Sequence, residues 1–335
     1  MVAISILDLV RIRERGDARQ ALDEARDLAA HAETLGYTRF WMAEHHNMPG
    51  IASAATSIAI AHVAAGSRRI RVGAGGIMLP NHSPVVIAEQ FGTLEALFPG
   101  RIDLGLGRAP GTDQITLRAL RRDPSASEHF PQDVQELQQL LGPLQPGQRV
   151  QAVPGTNSHV PLWILGSSLF GAQLAAHLGL PYGFASHFAP QALLPALQIY
   201  RERFQPSAQA ARPHAMVGVN IIAAPTDEEA RFLATTQQMA IANLFRGARG
   251  LSQPPIDDID SYWTPQEKAQ AQGFLARAIY GGPETVAAGI AALVAETQAD
   301  ELIIVSDVYD HDLRKRSYRL IAEAAGATGL AEAAE

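Results

Sequence analysis

The residues best suited to chemistry in this chain are the run Glu44-His45-His46. Histidine titrates near neutral pH and exchanges protons during turnover, a contribution of roughly 10²–10⁴-fold where it operates. Further along stand Gly75-Gly76, Gly105-Leu106-Gly107-Arg108-Ala109-Pro110-Gly111, Gly166-Ser167-Ser168, Ser186-His187, and Ser306-Asp307 with His311 beyond. Gly166-Ser167-Ser168 has the makings of an anion seat, because hydroxyls and free backbone N–H groups at a helix start favour negative charge. Helix capping explains the same serines equally well. Arg108 offers a fixed fork for a phosphate or a ring carbonyl. The glycines around it are spaced G-x-G-x-x-x-G with a proline where a helix should begin, so a dinucleotide-binding loop is excluded. Gly75-Gly76 is either a simple bend or a floor on which a flat ring can approach the backbone.

These residues need elements to hold them. Short apolar runs alternate with helical patterns along the chain. Strands are expected at residues 3–9, 39–43, 70–79, 102–106, 162–165, 182–186, 216–223 and 302–305. Helices are expected at 17–35, 53–65, 132–141, 170–178, 192–203, 226–246 and 313–324, with two more opened by Ser83-Pro84 and Pro283. Gly36 reads as a left-handed cap, and Pro99-Gly100 as a stop. Eight strands separated by helices imply a parallel sheet, and that number favours a closed (β/α)8 TIM barrel in the α/β class. One domain over residues 1–330 is expected, with insertions at 109–160 after strand four and at 251–281 after strand seven. A frayed tail would follow at 331–335. In such a barrel the active site lies at the C-terminal strand ends. Five of the eleven histidines fall there: His45, His46, His82, His187 and His311. If strand two runs on, Glu44 and His46 share one face and His45 takes the other. Barrel metallohydrolases place a His-x-His pair at the end of strand one. Here that position reads Leu7-Asp8-Leu9, so no metal is assigned.

Composition narrows the function class. The chain has 335 residues, 47% hydrophobic and 18% charged, enough to bury a large core. A formal net charge of -7 without a basic face argues against nucleic acid. With no cysteine, thiolate chemistry, disulfides and Cys-zinc sites are excluded, which fits a cytoplasmic setting. No apolar run is long enough for a membrane span, and residues 2–10 read as a buried strand rather than a signal peptide.

Taken in order, Arg39-Phe40-Trp41-Met42-Ala43-Glu44-His45-His46, the stretch from Arg71 through Gly75-Gly76 to His82-Ser83-Pro84, Glu89-Gln90-Phe91, Pro99-Gly100-Arg101-Ile102-Asp103-Leu104-Gly105-Leu106-Gly107-Arg108 and Gly282-Pro283-Glu284 resemble the luciferase-like monooxygenases, the flavin-dependent class related to bacterial luciferase. The resemblance implies a barrel that binds FMN, with the phosphate at Ser167-Ser168 near Arg108 and Gly166. It implies a non-proline cis peptide at or next to Gly75-Gly76 beneath the ring. It makes His45 the active-site histidine, with Glu44, His46 and His187 lining the same pocket. The implied activity is oxidation of a small organic substrate by O2 through a C4a-peroxyflavin, on FMNH2 supplied by a partner flavin reductase, in a homodimer. A deazaflavin-dependent hydride transferase and a flavin-binding protein without turnover remain alternatives. The chain departs from bacterial luciferase at Gly107, Gly166 and Phe170-Gly171, so light emission is not expected.

Overall fold

The computed structural model describes residues 2–109 and 112–326. Among the described residues there are nine parallel strands: β1 Ala3–Asp8, β2 Arg39–Met42, β3 Arg71–Met78, β4 Ile102–Gly107, β5 Leu162–Gly166, β6 Tyr182–Phe184, β7 Ala215–Ala223, β8 Ile279–Gly281 and β9 Glu301–Val305. Eight of them close into a ring in the order β1-β2-β3-β4-β5-β6-β7-β9, with β9 pairing back to β1. This is a (β/α)8 TIM barrel. The ninth, β8, pairs with the far end of β7 outside the ring.

Eleven α-helices are described: α1 Ala18–Thr34, α2 Thr56–Ala64, α3 Pro84–Leu97, α4 Gln114–Ala119, α5 Phe130–Leu141, α6 Leu169–Leu178, α7 Leu193–Glu202, α8 Asp227–Phe245, α9 Pro265–Phe274, α10 Pro283–Thr297 and α11 His311–Ala324. Local chemistry sets their ends. The Asp17 side chain accepts the Gln20 N–H at 2.8 Å to start α1, and Gly36 follows its end with φ 81. Thr264 and Glu267 form a reciprocal capping box on α9. Ser83 stands at the N-cap of α3 with Pro84 behind it, but its hydroxyl makes no capping bond.

Two of the expected stretches are more regular than their composition suggests. Residues 251–281 hold α9 and β8 rather than continuous loop. Residues 109–160 hold α4 and a 3-10 turn besides α5, whose Phe130, Val134, Leu137, Leu140 and Leu141 are buried. Proline and glycine marked the breaks in both stretches and masked the short elements between them. Pro110-Gly111 and the tail 331–335 lie outside the described residues.

The outward strand faces pack on the helices, and the inward faces fill the barrel. Leu7, Trp41, Ala43, Trp163, Met216, Ile303 and Val305 form the inner apolar layer, with Trp41 edge-on to Trp163 at 5.2 Å. Below them lies a charged layer. The Arg39 guanidinium bonds Asp103 on β4 and Glu301 on β9, each at 2.8 Å, and stacks 4.6 Å from the Trp163 ring. Arg71 and Trp41 also donate to Asp103; Ser5 and His214 also pair with Glu301. Asp103 and Glu301 are fully buried, so every one of these donors is needed. Replacing Arg39 by Met leaves two buried carboxylates underpaired. It should cost about 3–5 kcal/mol of stability, read as a lowered urea midpoint; an unmoved midpoint would show that the layer contributes nothing.

Candidate active site

The C-terminal strand ends open into a cavity of about 520 Å³, within the range of roughly 300–1,000 Å³ typical of small-molecule sites. Its base is the inner apolar layer. Gly75 and Gly76 floor one side, and the peptide bond between them is cis. Neither position has room for a side chain. A Cβ on Gly75 would sit 2.7 Å from Leu7 Cδ1, and one on Gly76 2.8 Å from the Gly105 carbonyl oxygen. The backbone itself is therefore the surface presented to a ligand.

Across β4 and β5 stand Arg108, Gly166, Ser167 and Ser168, all lining the cavity. Arg108 lies 4.1 Å over the Phe170 ring, and among the described residues no carboxylate pairs with it. Ser168 is the N-cap of α6, yet its hydroxyl does not bond the helix backbone. A cation, two hydroxyls and the first N–H groups of α6 are thus grouped with their hydrogen-bonding capacity unspent, which suits an anion.

The three neighbours in the Glu44-His45-His46 run separate. His45 lines the cavity. Glu44 and His46 do not: β2 ends at Met42, and beyond it the Glu44 side chain turns to bond His46 and His82 instead. The resemblance implied that both line the same pocket as His45, and neither lines this cavity. Glu44 is buried and joins a polar knot. Its Oε1 bonds His46 Nε2 at 2.7 Å and His82 Nε2 at 2.8 Å, and its Oε2 accepts the Met78 N–H at 3.0 Å. The Glu44 N–H donates to the Gly76 carbonyl at 3.3 Å. Glu44 therefore fastens the exit of β2 to the exit of β3, directly beside the glycine floor. Glu44, His46 and His82 also offer ligand atoms within 4.8 Å of one another, a spacing open to a metal, although the contacts drawn are hydrogen bonds.

Burial alone would raise the Glu44 pKa; the bonds from His46, His82 and Met78 outweigh it and hold the carboxyl at about 2. The Glu44 bond in turn raises His46 against the opposing effect of burial. His187 does line the cavity. Burial, reinforced by nearby His45, pushes it down to about 4, so it is a neutral imidazole at physiological pH. Its Nδ1 is buried without a hydrogen-bond partner. His311 belongs elsewhere, bonded to Asp27 at 2.8 Å on the outer helices.

Several cavity residues carried no motif in the sequence. Arg11 lines it in an ion pair with Asp307 at 3.1 Å, and Phe188, Ile241, Leu244 and Phe274 supply apolar wall. Asn220 could have been found: it is the one polar side chain in the otherwise apolar strand β7, Ala215–Ala223.

The family model described as luciferase-like monooxygenase matches residues 2–301. A curated relative, the luciferase-like monooxygenase of Escherichia coli K12, is 50% identical over 320 residues, covering 95% of this chain and 96% of its own. Among solved structures, apo-MsnO8 is 34% identical with a TM-score of 0.91, covering 98% of this chain and 99% of its own. The oxygenating constituent of 3,6-diketocamphane monooxygenase from Pseudomonas putida, solved with FMN, shares the fold at 17% identity and a TM-score of 0.72. It covers 98% of this chain and 100% of its own.

The knot has a pH signature. Because the Glu44 pKa is depressed in the folded state, its contribution of about 3 kcal/mol is fully present above pH 4.5 and lost as pH falls toward 2. His46, with a raised folded pKa, contributes below its ordinary 6.5 and loses that contribution as pH rises through the folded value. In Glu44→Gln the His46 ring should titrate lower than in the wild type, followed by proton NMR; an unchanged midpoint would disconnect the two.

Proposed function

The chain belongs to the luciferase-like monooxygenase family, and from that premise we propose that it is an FMN-dependent monooxygenase that oxidises a small organic substrate with O2. The observation that carries the reading is a single cavity with a side-chain-free glycine floor on β3 and an unspent cation and hydroxyls at β4–β5. Those features match the two ends of FMN, a planar ring and a phosphate. Arg108, Ser167, Ser168 and the first N–H groups of α6 would hold the phosphate. Gly75-Gly76, with Leu7 and Trp41 below, would support the ring. When bound and reduced, FMN supplies the electrons and the O2 activation that amino-acid side chains cannot.

The chain's own residues supply position, dryness and proton control. Leu7, Trp41, Met216 and Ile303 close the base of the cavity to water. His187 is neutral and carries no ionisable proton to spare near pH 7. That leaves His45 as the cavity imidazole to give or take a ring proton during turnover. Glu44 acts at one remove, by holding the floor in register. The same reading includes a separate reductase delivering reduced flavin, a homodimer and a cytoplasmic setting. Among the described residues no helix is long and apolar enough to cross a membrane.

The phosphate assignment is tested by comparing FMN with riboflavin. Arg108→Ala should weaken FMN roughly tenfold or more, the worth of a charge-assisted bond, and leave riboflavin affinity unchanged by fluorescence titration. Equal losses for both ligands would remove Arg108 from the phosphate. A deazaflavin bound more tightly than FMN would replace the monooxygenase reading with hydride transfer. His45→Ala should retain FMN affinity but release more H2O2 per reduced flavin reoxidised; an unchanged yield would clear His45 of the proton role.

A further inference from the structure

The β7–α8 wall of the cavity holds a hydrogen-bonded chain whose direction is fixed. The Asn220 Nδ2 group donates to the His187 carbonyl at 2.6 Å. A carbonyl can only accept, so the Asn220 amide cannot be turned over; reversal would set two oxygens against each other. Asn220 Oδ1 therefore faces Gln237, whose Nε2 donates to it at 2.9 Å. Gln237 Oε1 is then turned to the Tyr280 hydroxyl, which donates at 2.7 Å. One backbone carbonyl thus sets the orientation of two amides and a phenol.

Each of the two amide nitrogens carries two hydrogens, and each spends one in this chain. Both side chains are buried, at 4% exposure, and both line the cavity. The second N–H of each is a donor held in a nearly dry wall, where it costs stability until a lone pair meets it. The neighbouring wall is apolar, with Phe188, Ile241, Leu244 and Phe274. Arg11 there is committed to Asp307, and the other cation of that wall, Arg249, is exposed to solvent.

We infer that Asn220 and Gln237 form a donor subsite that receives a neutral oxygen acceptor, a carbonyl or S=O group, on an otherwise apolar substrate. This rests on the FMN reading for the rest of the cavity. β7 lies four strands from β3 in the eight-strand ring, so these donors stand opposite the glycine floor assigned to the flavin ring. A flavin ring carbonyl is the other source of the same chemistry, and the test separates the two.

The probes are 2-heptanone and 2-methyl-1-heptene, which differ by C=O against C=CH2. Dissociation constants are measured by saturation-transfer NMR on the FMN-loaded protein. A purely apolar wall favours the alkene, because the ketone loses hydration on entry. The donor subsite should instead make the ketone bind tighter, by about fivefold. Gln237→Leu should reverse that order with FMN affinity unchanged. Tighter alkene binding in the wild type overturns the proposal, and this comparison requires no variant to fold. A Gln237→Leu protein that loses FMN affinity but keeps the wild-type ketone preference also overturns it, in favour of the flavin. Failure of the wild type to bind FMN strikes the cofactor reading alone, because the ketone preference is then read on the unloaded protein.

Discussion

The Arg39 guanidinium is the charge around which this barrel closes. It sits on β2 and reaches β4 through Asp103 and β9 through Glu301, drawing together strands that are not neighbours in the ring. Removing such a group from water is expensive, and two carboxylates with their own further donors offset that cost. Its flat face also forms the underside of the tryptophan layer, through the stack on Trp163. The polar layer, the aromatic layer and the cavity above are therefore stacked in sequence. Each rests on the one beneath.

The upper end repeats the device at smaller scale. Glu44 ties β2 to β3 by side chain and backbone at once, and two histidines keep it ionised. Asp103, Glu301 and Glu44 are all matched by donors, and in the cavity Arg11 is matched by Asp307. Arg108 and Arg249 line the same cavity, and among the described residues no carboxylate pairs with either.

Much of the barrel was legible because its signals are local. Apolar runs bounded by Gly and Pro marked all eight ring strands. Strand parity could not place His45, because β2 stops at Met42, and the family resemblance singled it out instead. What escaped notice was set by tertiary contact. Three-residue β8 has no strand without β7 to pair with, so nothing in Ile279-Tyr280-Gly281 announces it. His82 and His46 look like site histidines by position, and only the side-chain directions reveal that they serve Glu44. Gln237 sits on a helix in a run of polar and small residues, and its place in the cavity depends on how α8 leans over the ring. Ser167-Ser168, by contrast, directly follow the end of β5, and Gly75-Gly76 lie within β3 itself, so sequence order already fixes their location.

The pairing of β8 with the end of β7 has an evolutionary consequence. The Ala224 N–H donates to the Gly281 carbonyl at 3.2 Å, so the segment from 224 to 281 leaves and returns at adjacent points of backbone. Between those points lie α8 and α9, which carry Gln237, Ile241, Leu244 and Phe274 into the cavity. A loop whose ends are stapled together can be exchanged, lengthened or repacked without moving the strands that hold it. The barrel and its glycine-floored side can therefore be inherited unchanged while this one cassette drifts, and a lineage can diversify what enters the cavity through a single contiguous stretch of gene.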